Sequence, residues 1–174
     1  MQEGYYTQGD KLSVILFETE REQFAINIYD TKEIIIAGQI RKLPQSYDFI
    51  DGIYNYRGEI IHIVNLSKKL NLNEYKIHNS NKNEEKYSSE QKYIIIVSVN
   101  NVNTGFLVDR ILDIVNIDAN LVEGLSPIFQ TSVGIEYIKG IIKFKDRPRI
   151  LLDLSKILTE IEQTIMDKQQ TITK

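Results

Sequence analysis

The sequence predicts a mainly β chain built from a duplicated strand unit that folds into small barrels. Three observations carry that expectation. Short β-branched apolar runs recur along the chain with polar turns between them. The second half repeats the order of the first. A single long helical stripe stands at the C-terminal end.

Ser13–Phe17 is an apolar β-branched run and reads as a strand. Glu18–Gln23 is polar and turn-like, and Phe24, Ile26 and Ile28 alternate as on a half-buried strand. Tyr29–Ile34 reads as a short helix capped by Asp30 or Thr31, with Ile34–Ala37 extended after it. Leu43-Pro44 bars a helix before the segment Phe49–Tyr56. Arg57-Gly58-Glu59 is a turn leading into the strand Ile60–Asn65, and Leu66–Leu72 supplies one or two helical turns. Asn71–Gln91 is the most polar stretch and reads as a solvated connection.

Strands follow at Tyr93–Val99 and Thr104–Val108 around a hairpin turn at Asn100–Asn103. Ile111–Ile117 is a further apolar segment, and Asp118–Ser132 is loop-like. Tyr137–Lys143 and Ile150–Asp153 flank the turn Lys145-Asp146-Arg147-Pro148. From Leu154 to Met166, Leu154, Ile157, Leu158, Ile161 and Ile165 fall on one helical face, with Ser155 near its start. The domain is expected over residues 12–166, with subdomains 12–70 and 92–150, a linker at 71–91, the helix at 154–166 and a polar tail at 167–174.

The duplication is read by offset. A shift of 80 residues sets Leu16-Phe17 over Ile96-Val97, Ala25-Ile26 over Gly105-Phe106, and Glu33-Ile34 over Asp113-Ile114. A shift of 88 sets Gly52-Ile53 over Gly140-Ile141 and Val64–Lys68 over Leu152–Lys156. The longer loop near Asp118–Ser132 accounts for the change of offset.

Composition excludes more than it asserts. The chain has 174 residues, 42% hydrophobic and 26% charged, an ordinary globular mix. No apolar run is long enough to cross a bilayer, and the first residues lack the pattern of a signal peptide, so a cytoplasmic protein without membrane insertion is expected. The absence of cysteine rules out disulfides and thiolate zinc sites. A net charge of −3, with Lys and Arg interspersed among acids, and no aromatic strand platform argue against an SH3-like or OB-like nucleic-acid binder. His62 sits within a strand and His78 in the polar connection, which supplies no metal site. No G-x-S-x-G motif or phosphate-binding glycine loop is present, so no catalysis and no cofactor are expected.

The stretch Phe49-Ile50-Asp51-Gly52-Ile53-Tyr54-Asn55-Tyr56-Arg57-Gly58-Glu59-Ile60-Ile61-His62-Ile63-Val64-Asn65-Leu66 resembles the CheW signature F-I-x-G-V-x-N-L-R-G-x-I-I-P-V-V-D-L. Gly105–Arg110 resembles the family's G-F-L-V-D-x-V motif, and Glu136–Ile141 its E-Y-L-x-G segment. The resemblance runs from Leu12 to Ile161 and implies two SH3-like five-stranded β-barrels around a shared core. It also implies a chemotaxis adaptor, bound to the cytoplasmic hairpin tip of methyl-accepting receptors and to the regulatory domain of a CheA-type histidine kinase. Alternatives from the same resemblance are the CheW-like domain of a CheA kinase or of a CheV-like protein. The Met1 start and short polar tail lead us to expect the stand-alone adaptor. Matched by position, the receptor groove is expected at Ile15, Ile28, Thr31, Glu33, Ile34, Arg57, Ile111 and Leu112, and the kinase contacts at Gly52 and Phe129. His62, Tyr56, Asn65 and Thr31 depart from the usual proline, leucine, aspartate and aliphatic residue at their positions.

Overall fold

A computed structural model describes residues 9–44, 46–72, 91–126 and 133–172, with side chains as far as Asp167. The first half holds β1 (Lys11–Thr19), β2 (Glu22–Asn27), β3 (Glu33–Ile36), β4 (Ile50–Tyr56), β5 (Glu59–Asn65) and the short helix α1 (Leu66–Lys69). The second holds β6 (Tyr93–Val99), β7 (Val102–Val108), β8 (Arg110–Asp118), β9 (Val122–Glu123), β10 (Ile138–Lys143), β11 (Pro148–Leu152) and α2 (Leu154–Ile172).

Two sheets form, in the orders β8-β1-β2-β11-β10-β9 and β3-β6-β7-β5-β4. Sheet membership cuts across the expected division into 12–70 and 92–150. Each sheet takes one hairpin from one half and the remaining strands from the other. Of the four ladders that join the halves, two are parallel: β11 lies against β2 with Leu152 opposite Ile26, and β5 lies against β7 with Val64 opposite Phe106. Those are equivalent positions in the repeat. The outer ladders match as well, with Glu33 opposite Ile96 and Asp113 opposite Leu16.

Smaller features repeat in the same register. The β4–β5 ladder slips between Ile50 and Gly52, and the β10–β11 ladder between Ile138 and Gly140. Asn65 Oδ1 accepts from Lys68 N at the head of α1, and Asp153 Oδ1 accepts from Lys156 N at the head of α2. The duplication read from the sequence is therefore a duplication of structure.

Alternation along β1 explains the layering. Leu12, Val14 and Leu16 enter a core lined by their own sheet, with Ala25, Ile117, Ile142 and Leu151. Ile15 and Phe17 point the other way, into a central cluster between the sheets. That cluster also takes Val64, Ile95, Val97, Phe106 and the predicted α2 stripe of Leu154, Ile157, Leu158 and Ile161. The other sheet has its own interior of Tyr56, Ile61, Ile63, Ile94 and Ile96.

Several expectations are corrected. No five-stranded barrel closes as a continuous ladder among the described residues; the sheets have six and five strands in open order. Their ends nonetheless approach, because one 3-10 turn, Ala119–Leu121, joins β8 to β9, and Arg41 beyond β3 bridges to Ile53 on β4. The helix expected at Tyr29–Ile34 is a single 3-10 turn, Ile28–Asp30, capped by Asn27. The β-branched run Ile34–Ile36 is claimed instead by pairing with β6. The expected loop from Asp118 contains that 3-10 turn and β9. Helix α2 begins at Leu154, as expected, with Asp153 as its cap, and it continues through residues expected to be tail.

Candidate functional site

Three two-residue hairpins have both central residues at positive φ: Glu20-Arg21, Asn100-Asn101 and Arg57-Gly58. Such turns match the twist of the paired strands and ordinarily take Asn, Asp or Gly. Arg57 occupies its left-handed position at φ 52, and Asn55 Oδ1 braces the turn by accepting from Gly58 N at 2.9 Å. A non-glycine residue held there costs about 1 kcal/mol or more. The guanidinium is aimed by its neighbours. Arg57 Nη2 donates to Glu33 Oε1 at 2.9 Å, and its Cζ lies 5.4 Å from the Tyr56 ring centroid. The Tyr56 hydroxyl donates to Glu33 Oε2. That hydrogen bond, reinforced by burial, raises the Tyr56 pKa above its ordinary value. Glu33 thus ties the rim of β3 to the β4–β5 turn, while the Arg57 side chain stays 71% exposed.

Apolar residues continue from this polar rim. Ile28, Ile34 and Ile111 are half-buried and pack against the central cluster. Ile111 lies opposite Phe17, and the register slips between Leu16 and Phe17, which leaves Leu112 as the extra residue of a bulge and 37% exposed. Both β3 and β8 stand at sheet edges, so each offers one side to a partner. Thr31 follows the 3-10 turn, its N–H donating to Ile28 O.

Other expected positions fall elsewhere. Ile15 is buried in the central cluster, so it supports the edge and has no surface to offer. Gly52 is buried at φ +148, where a Cβ would lie 2.1 Å from the Arg41 carbonyl oxygen. Its first duty is to let β4 pass the Arg41 bridge. Phe129 and His78 lie outside the described residues, as does most of the expected connection. His62 is exposed on β5.

The exposed apolar residues that were not anticipated include Tyr29 at 87%, Ile36 at 60% and Ile114 at 55%. Ile114 had a signal in the sequence. The repeat sets it over Ile34, and its cross-strand partner is Ile15. Among the described residues no cluster of His, Asp or Glu could hold a metal, and no helix is long and apolar enough to cross a membrane.

The frame is thus a duplicated pair of sheets sharing one core, with apolar residues at the edges. The same architecture occurs in the scaffolding protein TtCheW of Thermoanaerobacter tengcongensis, with a TM-score of 0.69, 25% identity and coverage of 88% of this chain and 90% of that one. The CheW-like domain family matches residues 13–162, and the chain belongs to that family, whose members act as chemotaxis adaptors. The chemotaxis protein CheW of Thermotoga maritima is 31% identical over 154 residues, covering 87% of this chain and 90% of the relative. That of Treponema pallidum is 28% identical over 156 residues, covering 88% and 85%.

Proposed function

We propose that this adaptor joins the cytoplasmic hairpin tip of methyl-accepting chemoreceptors to the regulatory domain of a CheA-type histidine kinase, without chemistry of its own. It would do so in the cytoplasm, at the inner face of the membrane, through receptor arrays. The observation that carries the receptor half is the arrangement at the edges. Ile28, Ile34 and Ile111 all border one core, and Arg57 is held by Glu33 at the rim. A helix enters such a groove by its apolar face, while charge sets its register. The receptor surface in this reading is Ile28, Thr31, Glu33, Ile34, Arg57, Ile111 and Leu112, extended by Ile114 and supported from beneath by Ile15.

The kinase half rests on the family positions of Gly52 and Phe129, Gly52 acting through the backbone it permits. The same family membership supports reading each curled sheet as an SH3-like barrel, with the Arg41 bridge and β9 as closing contacts.

The experiment is a pair of variants in two binding assays beside circular dichroism. Ile111→Asp places an unpaired charge where the receptor must desolvate it, costing about 3 kcal/mol of receptor affinity. Arg57→Ala removes a charge-assisted contact, costing about 1–3 kcal/mol. Kinase-domain binding is expected to survive both changes. A folded Ile111→Asp protein with normal receptor affinity would contradict the groove.

A further inference from the structure

We propose that Tyr56 is a positioning residue for the receptor contact: its hydroxyl fixes the Glu33 carboxylate, and that carboxylate holds the Arg57 guanidinium in place at the rim before a partner arrives. The inference rests on the receptor reading above and deepens it by naming the group that orders the charged point of the groove.

A surface arginine–glutamate pair does not by itself hold a long side chain in one place. Such pairs are worth about 0–1 kcal/mol, because both partners give up rotamer freedom to form them. With Arg57 at 71% and Glu33 at 31% exposure, the pair is of that kind. Tyr56 is different. Its side chain is buried and packs with Ile61, Ile63, Ile94 and Ile96 inside the sheet. The hydroxyl at the end of that fixed ring donates to Glu33 Oε2, which leaves Oε1 to accept from Arg57 Nη2 at 2.9 Å. The Arg57 Cζ lies 5.4 Å from the centroid of the same ring. Lys32 also approaches the ring, its Nζ at 6.0 Å, but it donates to Asn103 Oδ1 at 3.2 Å, and Asn103 is held in turn by Glu59 at 2.9 Å. Glu33 is therefore left to Arg57.

The frame needs the ring at this point and not the hydroxyl. The offset of 88 that sets Gly52 over Gly140 also sets Tyr56 over Phe144. Phe144 packs against the interior of the other sheet and has its own guanidinium beside it, Arg149 Cζ at 4.8 Å from the ring centroid. The carboxylates differ as well. Asp113, the counterpart of Glu33, turns to its own backbone, its Oδ1 accepting from Ile114 N at 2.8 Å. The relay from hydroxyl to carboxylate to guanidinium is thus built in one half only, the half whose turn reaches the rim. A partner that meets an arginine already in place removes less side-chain freedom on binding, and a carboxylate or a helix C-terminus on the receptor is the matching group.

The test uses the full chain as wild type, Tyr56→Phe, Arg57→Ala and the double variant. NMR relaxation of the Arg57 Nε–H group in the free chain reads how far the guanidinium is ordered. Its order parameter is expected above about 0.6 in wild type and in the flexible range below that in Tyr56→Phe. Isothermal titration against a soluble hairpin-tip fragment of a chemoreceptor encoded in the same genome should show Tyr56→Phe binding about five-fold more weakly. In the Arg57→Ala background the same change should alter affinity by less than about two-fold, because no guanidinium remains to be positioned. Tyr56→Phe should melt within about 4 °C of wild type and bind the kinase domain as wild type does. An unchanged order parameter, an unchanged hairpin affinity or an equal loss in both backgrounds overturns the inference, as does a parallel loss of kinase binding. A wild-type chain that ignores the hairpin overturns the receptor reading; a fall in the order parameter then still upholds Tyr56 as the group that orders Arg57.

Discussion

The two halves of the chain differ least where they build the frame and most where the groove is expected. Hairpins, parallel joins, bulges and helix caps recur at matched positions, down to a hydrogen bond from Asn65 N to Phe49 O that returns as Asp153 N to Tyr137 O. The corresponding turns diverge. Arg57-Gly58 sends its guanidinium to Glu33 on another strand, 24 residues away in sequence. In the second half Arg149 is held by Asp146 of its own turn, through bonds of 3.0 and 2.9 Å, and that contact lowers the Asp146 pKa to about 2. Arg149 also donates from Nε to Gln23 Oε1 on β2 at 2.9 Å, whereas Arg57 reaches the rim of the groove. Thr31 against Ile111 is a second divergence, and the lengths of α1 and α2 are a third. Function is therefore best sought where a repeat departs from itself.

The largest effect expected from this comparison follows from the exchange of strands. The β1–β8, β2–β11, β3–β6 and β5–β7 ladders all join one half to the other. Fragments 1–81 and 82–174 should each fail to fold alone and should regain a β signal and cooperative unfolding when co-expressed. A first half that folds by itself would break the interleaved account.

A smaller effect separates the two glycines. Gly52→Ala meets a backbone oxygen at 2.1 Å and a positive φ, and is expected to cost about 3 kcal/mol or more in urea unfolding. Gly140→Ala would meet the Glu123 carbonyl oxygen at 2.7 Å without that backbone penalty, and should cost about 1–2 kcal/mol. Equal costs would show that the first half carries no special strain. Loss of kinase binding in Gly52→Ala should track loss of fold.

The frame was largely legible in the sequence because β-branched runs, turn residues and the α2 stripe are local signals, and the repeat supplied the long-range order. What the offsets alone did not reveal was the exchange of strands between sheets, since a duplicated unit aligns equally well whether its copies pair within themselves or with each other. The helix expected after Ile28 failed because Ile34–Ile36 found a partner in β6, a contact distant in sequence. Arg57 and Glu33 entered the expected site by matched family position, and the structure joins them by a hydrogen bond. Ile15 entered it in the same way, and a matched position carries no information about burial. Ile15 reads as a surface anchor only until β1 is seen to be covered on both faces, and Ile114 was missed because Ile111–Ile117 was read as one apolar run without assigning faces.

The central claim is that one molecule couples two partners through separate surfaces. Size-exclusion chromatography with light scattering, on a mixture of this chain, a receptor hairpin tip and the kinase regulatory domain, tests it most directly. A single peak with the mass of all three is predicted, reduced by Ile111→Asp to the pair of chain and kinase domain. Mutual displacement of hairpin and kinase domain, or a chain that binds neither, would contradict it.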